Sequence, residues 1–179
     1  MKDNEKVLGE ERRQQIIDTL RSAVKPITGR TLGEMTNVSR QVIVGDITLL
    51  KAKNEPIVAT SRGYIYIQAQ ETLGRIEKTI VCKHTSGQTM DELNILVDNG
   101  ITVKDVKIEH PVYGDLSASI MVSNRNEVIE FINRIRESEA NYLSKLSEDG
   151  IHLHTIVADN EDQIKNAEES LRKADILVN

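Results

Sequence analysis

In this chain of 179 residues, the stretch that most limits the fold runs Ile151, His152, Leu153, His154, Thr155, Ile156, Val157, Ala158. Its alternation predicts a strand whose side chains two apart share one face. His152 and His154 then stand side by side. They are half of the four histidines present, and neutral imidazole is the commonest metal-binding side chain, so a strand that holds two at fixed separation is a natural start for a cation site. The alternative is a wet strand edge whose imidazoles bind nothing.

The residues upstream place that strand in a sheet. Arg75–Lys83 reads as a strand, and Thr89–Asn99 as a helix with Met90, Leu93 and Val97 inward and Gly100 as its stop. Two strands follow, Ile101–Glu109 and Leu116–Val122. Asn124 then caps a helix whose Val128, Phe131, Ile132 and Ile135 face the core, extended or followed by a piece from Tyr142 to Leu146. After the His-bearing strand, a helix from Asn160 to Lys173 turns Ile164, Ala167 and Leu171 inward, and Ile176–Val178 could add a last strand. The order βαββαβ, plus the C-terminal helix and strand, predicts a ferredoxin-like α/β sandwich.

The first third has a different rhythm. Glu10–Val24 places Ile16, Ile17, Leu20 and Val24 on one side of a helix that Pro26 closes, and Thr31–Met35 is a short helical piece. Ser39 is a good N-cap for a helix reaching Lys53, with Ile43, Ile47 and Leu50 as its buried stripe. This is a helix-turn-helix. Ile57–Ala59 and Tyr64–Ile67 add a hairpin, or wing, turning through Thr60–Gly63, where Gly63 supplies a positive backbone angle. The expected class is therefore α+β, with a winged helix-turn-helix over residues 1–67, a polar linker over 68–74, and the sandwich over 75–179.

Composition narrows the setting. Hydrophobic residues make up 39% and aromatics 3%, with no Trp, so the core must be aliphatic. Cys82, the sole cysteine, excludes an internal disulfide and fits a reducing compartment. The polar start of the chain and the lack of a long apolar run lead us to expect a cytoplasmic protein with no membrane segment. The net charge of −5 is unevenly spread: residues 1–75 hold 12 Lys and Arg against 9 Asp and Glu, whereas residues 76–179 hold 11 against 19. An N-terminal part that tolerates phosphate, joined to an acidic part that repels it, suits a regulator with separate DNA and effector domains.

In a helix-turn-helix the start of the third helix reaches base edges. Here that means Ser39, Arg40 and Gln41, with Thr48 and Lys51 further along the solvent side and Ser61 and Arg62 at the wing tip. The competing reading is a small helical domain for protein contacts. For the second domain, His84 ends its strand, and Glu92 opens the next helix eight residues on. If the loop between them folds back, His84, Glu92, His152 and His154 offer three nitrogens and a carboxylate oxygen, suited to Zn, Ni, Co or Fe(II). On spacing alone, Thr89 to Glu92 reads more readily as a capping box. Cys82 reads as a buried filler rather than a soft ligand. His110, between two strands and followed by Pro111, Tyr113 and Gly114, is either a donor to a small acidic ligand or a turn histidine.

Taken together, Ser39–Ile47, Ser61–Tyr64, His84–Gly87, Glu109–Gly114 and His152–Thr155 resemble the niacin-responsive transcriptional repressor family, a winged helix fused to a three-histidine domain. The resemblance runs from about Glu10 onward. It implies a homodimer that binds operator DNA, takes nicotinic acid as co-repressor and controls genes for NAD biosynthesis and niacin uptake, without being an enzyme. It also implies one divalent transition metal ion, Ni or Zn, held by His84, Glu92, His152 and His154, with His110 and Tyr113 in or near the ligand pocket. A metal-dependent hydrolase and a pure metal-sensing regulator are the alternatives.

Overall fold

Helix α1, Gly9–Ser22, buries Ile16, Ile17 and Leu20 at helical spacing. It packs against α2, Gly29–Thr36, and α3, Arg40–Ala52, which contribute Leu32, Ile43, Ile47 and Leu50 to the same core. Each such side chain contributes about 1.5–3 kcal/mol by leaving water. Thr28 caps α2 by accepting from the Thr31 amide at 3.1 Å, and Ser39 caps α3 by accepting from the Val42 amide at 3.4 Å. Between them Asn37 takes the left-handed conformation (φ 54°), which a short polar side chain tolerates. Val24 does not join the stripe. It is 98% exposed, because α1 stops at Ser22 and the chain leaves it to pair Ile27 with Tyr64.

That pairing builds the wing. Strands β1, Ile57–Thr60, and β2, Gly63–Tyr66, are antiparallel, and Ile27 exchanges backbone hydrogen bonds with Tyr64 at 3.0 and 2.8 Å. Gly63 has φ 135°, and a Cβ there would lie 2.5 Å from the Ile27 carbonyl oxygen, so no other residue fits.

The structure, a computed structural model, describes residues 9–67 and 74–178. The chain divides into two compact units, 1–73 and 74–179. Of the expected linker, Gln68–Leu73 lies outside the described residues.

The second unit follows the predicted order: β3 (Ile76–Lys83), α4 (Thr89–Asp98), β4 (Thr102–His110), β5 (Gly114–Val122), α5 (Arg125–Glu137), β6 (Ile151–Ala158) and α6 (Glu161–Lys173). The sheet order is β3-β6-β4-β5, and every neighbouring pair is antiparallel. Each βαβ unit is thus split by a strand from elsewhere. In this variant of the ferredoxin-like plan the unit's first and third strands lie at the edges, and the His-bearing β6 lies inside. Residues Ile176–Val178 form only a short bridge onto β3, through Cys82 and Leu177. The core gathers Ile80, Leu93, Leu96, Val103, Ile120, Val128, Ile132, Ile156, Ile164 and Leu171 between the sheet and its helices. An irregularity between Val103 and Asp105 shifts the register of β4 against β6. An inserted residue of this kind lets Val103 before it and Val106 after it pack on the core side.

Candidate functional site

Alternation along β6 puts His152 and His154 on the helix-facing side with Ile156 and Ala158, opposite Cys82 and Ile80 of β3. His84 follows β3, and a single turn at Ser86–Gln88 folds the chain back so that α4 begins beside it. Glu92, one turn into α4, then enters the same buried space. Its carboxylate Oε2 lies 2.7 Å from His84 Nε2, 3.3 Å from His152 Nε2 and 3.3 Å from His154 Nε2, and Oε1 lies 3.2 Å from His152 Nε2. Four groups separated by as many as 70 positions in sequence converge on one point.

The other ring nitrogens decide the chemistry. His84 Nδ1 meets the Thr85 carbonyl at 2.7 Å, His152 Nδ1 the Gly150 carbonyl at 2.9 Å, and His154 Nδ1 the Asp105 carbonyl at 2.7 Å. A carbonyl only accepts, so each Nδ1 carries the proton and donates. In the neutral rings every Nε2 is then a bare lone pair, and three lone pairs face a carboxylate with no proton among them. Such a set repels itself unless it gains protons or encloses a cation. His154 Nε2, 3.3 Å from Glu92 Oε2, is nonetheless out of line for a hydrogen bond and has no hydrogen-bond partner. The residues therefore fit a divalent transition metal: imidazole and carboxylate donors, oriented by carbonyls behind them, are what such ions take.

Electrostatics points the same way. Burial works against the Glu92 charge, yet the surrounding imidazoles, His154 foremost, hold its carboxyl well below the usual carboxylate range. Burial likewise opposes a charged imidazole, but the hydrogen bond and charge of Glu92 hold His84 above its ordinary value, and the charge of Glu92 does the same for His154. Cys82 is also close, since Cys82, Glu92 and His152 each offer a ligand atom within 4.8 Å of the others. Burial first, then the charge of Glu92, pushes its thiol far up, which keeps the proton on sulfur. It is fully buried in the aliphatic core, as a filler would be.

The capping-box reading of Thr89 and Glu92 is overturned. The N-cap of α4 is Gln88, without a side-chain cap, and Glu92 spends both oxygens on imidazoles. The box that does form joins Thr85 to Gln88 one turn earlier. Thr89 Oγ is left buried with no hydrogen-bond partner. Gly150 (φ 72°) also escaped notice in the sequence. Its backbone packs on the His84 carbonyl so closely that a Cβ would collide with it, while its own carbonyl holds His152.

A cavity of about 230 Å³ opens beside the cluster. His84, Glu92, His152, His154 and Thr89 form one wall, and Leu93, Ala118, Ile120, Phe131, Ile135 and Tyr142 form much of the rest. His110 and Tyr113 are not brought to it. They sit in the β4–β5 turn, where His110 Nδ1 accepts from the amides of Val112 and Tyr113 at 3.2 and 3.3 Å, and Tyr113 is 74% exposed. The imidazole is occupied by its own turn.

In the first unit, Ser39, Arg40, Gln41, Thr48 and Lys51 are all exposed on α3, and Ser61 and Arg62 are half-buried in the wing turn. The only acid of α3, Asp46, points inward. Arg12 of α1 grips it with two bonds of 2.7 and 3.2 Å, and Arg13 adds one of 3.3 Å. The outer face of α3 is thereby left without negative charge. Gly45 lies between Gln41 and Thr48 on that face, and an added Cβ would meet nothing within 4 Å. A flat place on a reading helix admits close approach. Asp46 was visible in principle, as a charge on the Ile43–Ile47–Leu50 stripe.

Comparison with known proteins bears on both units. An HTH domain family model matches residues 12–65, and a 3H domain family model matches residues 77–179. The chain is 50% identical over 179 residues to the transcription repressor NadR of Bacillus subtilis, covering 99% of each. It is 36% identical over 173 residues to the probable transcription repressor NiaR of Thermotoga maritima, covering 97% of each. An uncharacterized protein of Methanothermus fervidus shares 25% over 119 residues, 63% of this chain and 19% of that one.

Proposed function

As this chain belongs to the NadR/NiaR family of transcription repressors, with an HTH domain ahead of a 3H domain, we propose that it is a metal-dependent repressor with nicotinic acid as co-repressor. On this reading it acts in the cytoplasm as a homodimer and controls genes for NAD biosynthesis and niacin uptake. Among the described residues no helix is long and apolar enough to cross a membrane.

One observation carries the proposal: three imidazole Nε2 atoms turned on one buried carboxylate, each ring held from behind by a carbonyl. His84, Glu92, His152 and His154 would hold one Ni or Zn ion, which supplies a fixed positive charge that an organic acid can answer. The side chains of this wall keep the charge out of bulk water and turned toward the cavity. Effector binding then favours the dimer arrangement in which two α3 helices meet successive major grooves, about 34 Å apart. At the DNA, Arg40 and Gln41 supply the guanine- and adenine-reading groups, and Lys51 and Arg62 meet phosphate.

The hydrolase alternative lacks support. Among the described residues lining the cavity, none apart from His84, Glu92, His152 and His154 is a carboxylate or an imidazole, so none offers a separate general base. The test is an operator-binding titration of the full chain with promoter DNA of NAD-biosynthesis genes. Metal and nicotinate are added singly and together. Tight binding only with both is expected. Full repression-grade binding with metal alone would make the protein a metal sensor, and no response to nicotinate in the metal-loaded protein would refute the coupling.

A further inference from the structure

Of the three rings, His84 and His152 lean on carbonyls of close chain neighbours, Thr85 and Gly150. His154 is different. Its Nδ1 partner is the carbonyl of Asp105, on another strand and 49 positions distant, so its tautomer depends on how β4 sits against β6. That fit is irregular. Val103 pairs with Ile156 and Asp105 with Thr155, which leaves Lys104 as an extra residue, and bulges of this kind re-aim the groups beside them. Asp105 meets β6 twice: its carbonyl takes the His154 ring, and its side-chain Oδ1 accepts from the Thr155 amide at 3.1 Å. Lys107, two residues on and on the same face, donates to Thr155 Oγ at 2.8 Å and lies 3.5 Å from Asp105 Oδ2. Thr155 is buried, and the Asp105 side chain is only 15% exposed.

We propose that Asp105 is a positioning residue for the imidazole cluster: its side chain, anchored on the Thr155 amide, holds its own carbonyl against His154 Nδ1 and so keeps His154 Nε2 aimed at Glu92. The cause is geometric. Both acceptors belong to one residue, so a carboxylate fixed on the amide leaves the carbonyl little freedom to turn away from the ring. A ring whose Nδ1–H is held presents only Nε2 to a cation, whereas a released ring can exchange tautomers and turn an N–H toward the carboxylate instead. Lys107 answers the charge of Asp105, so what reaches the ring is the position of an oxygen rather than a charge. The sheet face that carries Asp105, Lys107 and Thr155 thus tunes a site on the opposite face. This inference rests on the metal-holding reading above and adds a residue that is neither one of the four ligands nor part of the cavity lining.

The experiment compares the full chain with Asp105→Asn, Asp105→Glu and Asp105→Leu in two ways. Zinc is titrated against a competing chelator, and ring nitrogen NMR of the chelated, metal-free proteins at alkaline pH reads which nitrogen of each neutral histidine carries the proton. Asp105→Asn keeps the oxygen and drops the charge, Asp105→Glu keeps the charge and moves the oxygen by one methylene, and Asp105→Leu removes both. Zinc affinity should stay within about threefold in Asp105→Asn and fall about tenfold to a hundredfold in the other two. In those two the His154 proton should spread over both nitrogens, while His84 and His152 keep theirs on Nδ1. Should Asp105→Leu fail to fold, the two polar changes carry the comparison. Loss in Asp105→Asn with retention in Asp105→Glu would show that charge acts rather than position and would overturn the proposal. Unchanged zinc affinity in Asp105→Glu and Asp105→Leu would also overturn it, as would a lower affinity with the His154 tautomer unaltered, the mark of a purely structural role. If the parent protein binds no zinc while the variants still release the His154 tautomer, the metal reading falls and the positioning stands.

Discussion

The ion pair behind the reading helix allows a sharp test of how the DNA-binding unit is held. Arg12 and Asp46 are only 8% and 4% exposed, and they meet through two hydrogen bonds, with Arg13 as a third partner. Removing one member of a buried pair costs about 3–5 kcal/mol, whereas replacing both by apolar groups is often neutral or stabilising. A unit of 73 residues has a total stability of about 4–11 kcal/mol. Asp46→Leu should therefore remove about a quarter or more of it. At about 4–8 °C per kcal/mol for a domain of this size, the melting temperature should fall by at least about 12 °C. Arg12→Met with Asp46→Leu should recover most of that loss, because Arg13, more exposed, can turn to water. The assay is hydrogen exchange across the full chain, with peptides from 9–52 read against peptides from 74–178. Protection should drop in the first set alone for the single variant and return in the double variant, and bound metal should not change. A single-variant cost below about 1 kcal/mol, or a double variant no more stable than the single, would refute the argument.

Three further outcomes follow from the geometry. Gly45→Ala should stabilise the first unit by about 0.5–1 kcal/mol, since alanine is the better helix former and its Cβ meets nothing, yet weaken operator binding by about tenfold in an anisotropy assay; unchanged affinity would remove Gly45 from the interface. Lys51→Ala should lower the slope of log affinity against log salt by about one unit, and an unaltered slope would mean that Lys51 touches no phosphate. In the chelated, metal-free protein, Glu92 lies below its ordinary value of 4.5 and so stabilises above that pH, its contribution fading as pH falls further. His84 and His154 lie above 6.5 and so stabilise fully below it, their contribution fading as pH rises through their raised values. Urea midpoints should thus be highest between about pH 4.5 and 6.5 and decline toward pH 8, whereas the metal-loaded protein should lose metal and stability on acidification. A metal-free midpoint that climbs from pH 6 to 8 would contradict the assignment.

Local pattern alone carried much of this molecule. The i, i+4, i+7 stripe of Ile43, Ile47 and Leu50, the caps Ser39 and Asn124, and the period of two along β6 all depend on side chains and backbone groups a few residues apart. Such relations are written in the order of the residues, so three helices, a wing and the four strands and three helices of the second unit were legible in the sequence. Val24 failed because the pairing of Ile27 with Tyr64, 37 positions away in sequence, ended α1 early. Glu92 could be read as a cap or as a ligand, since both meanings fit Thr89 to Glu92, and only the sheet, by setting β6 beside β3, brought imidazoles close enough to claim both of its oxygens. His110 shared a residue type with the true cluster but ended in a turn that satisfies it. The strand order, the inward turn of Asp46 and the cavity under Phe131 belong to the tertiary structure for the same reason: each is a meeting of groups far apart in the chain, and spacing along a sequence holds no information about which distant partner arrives.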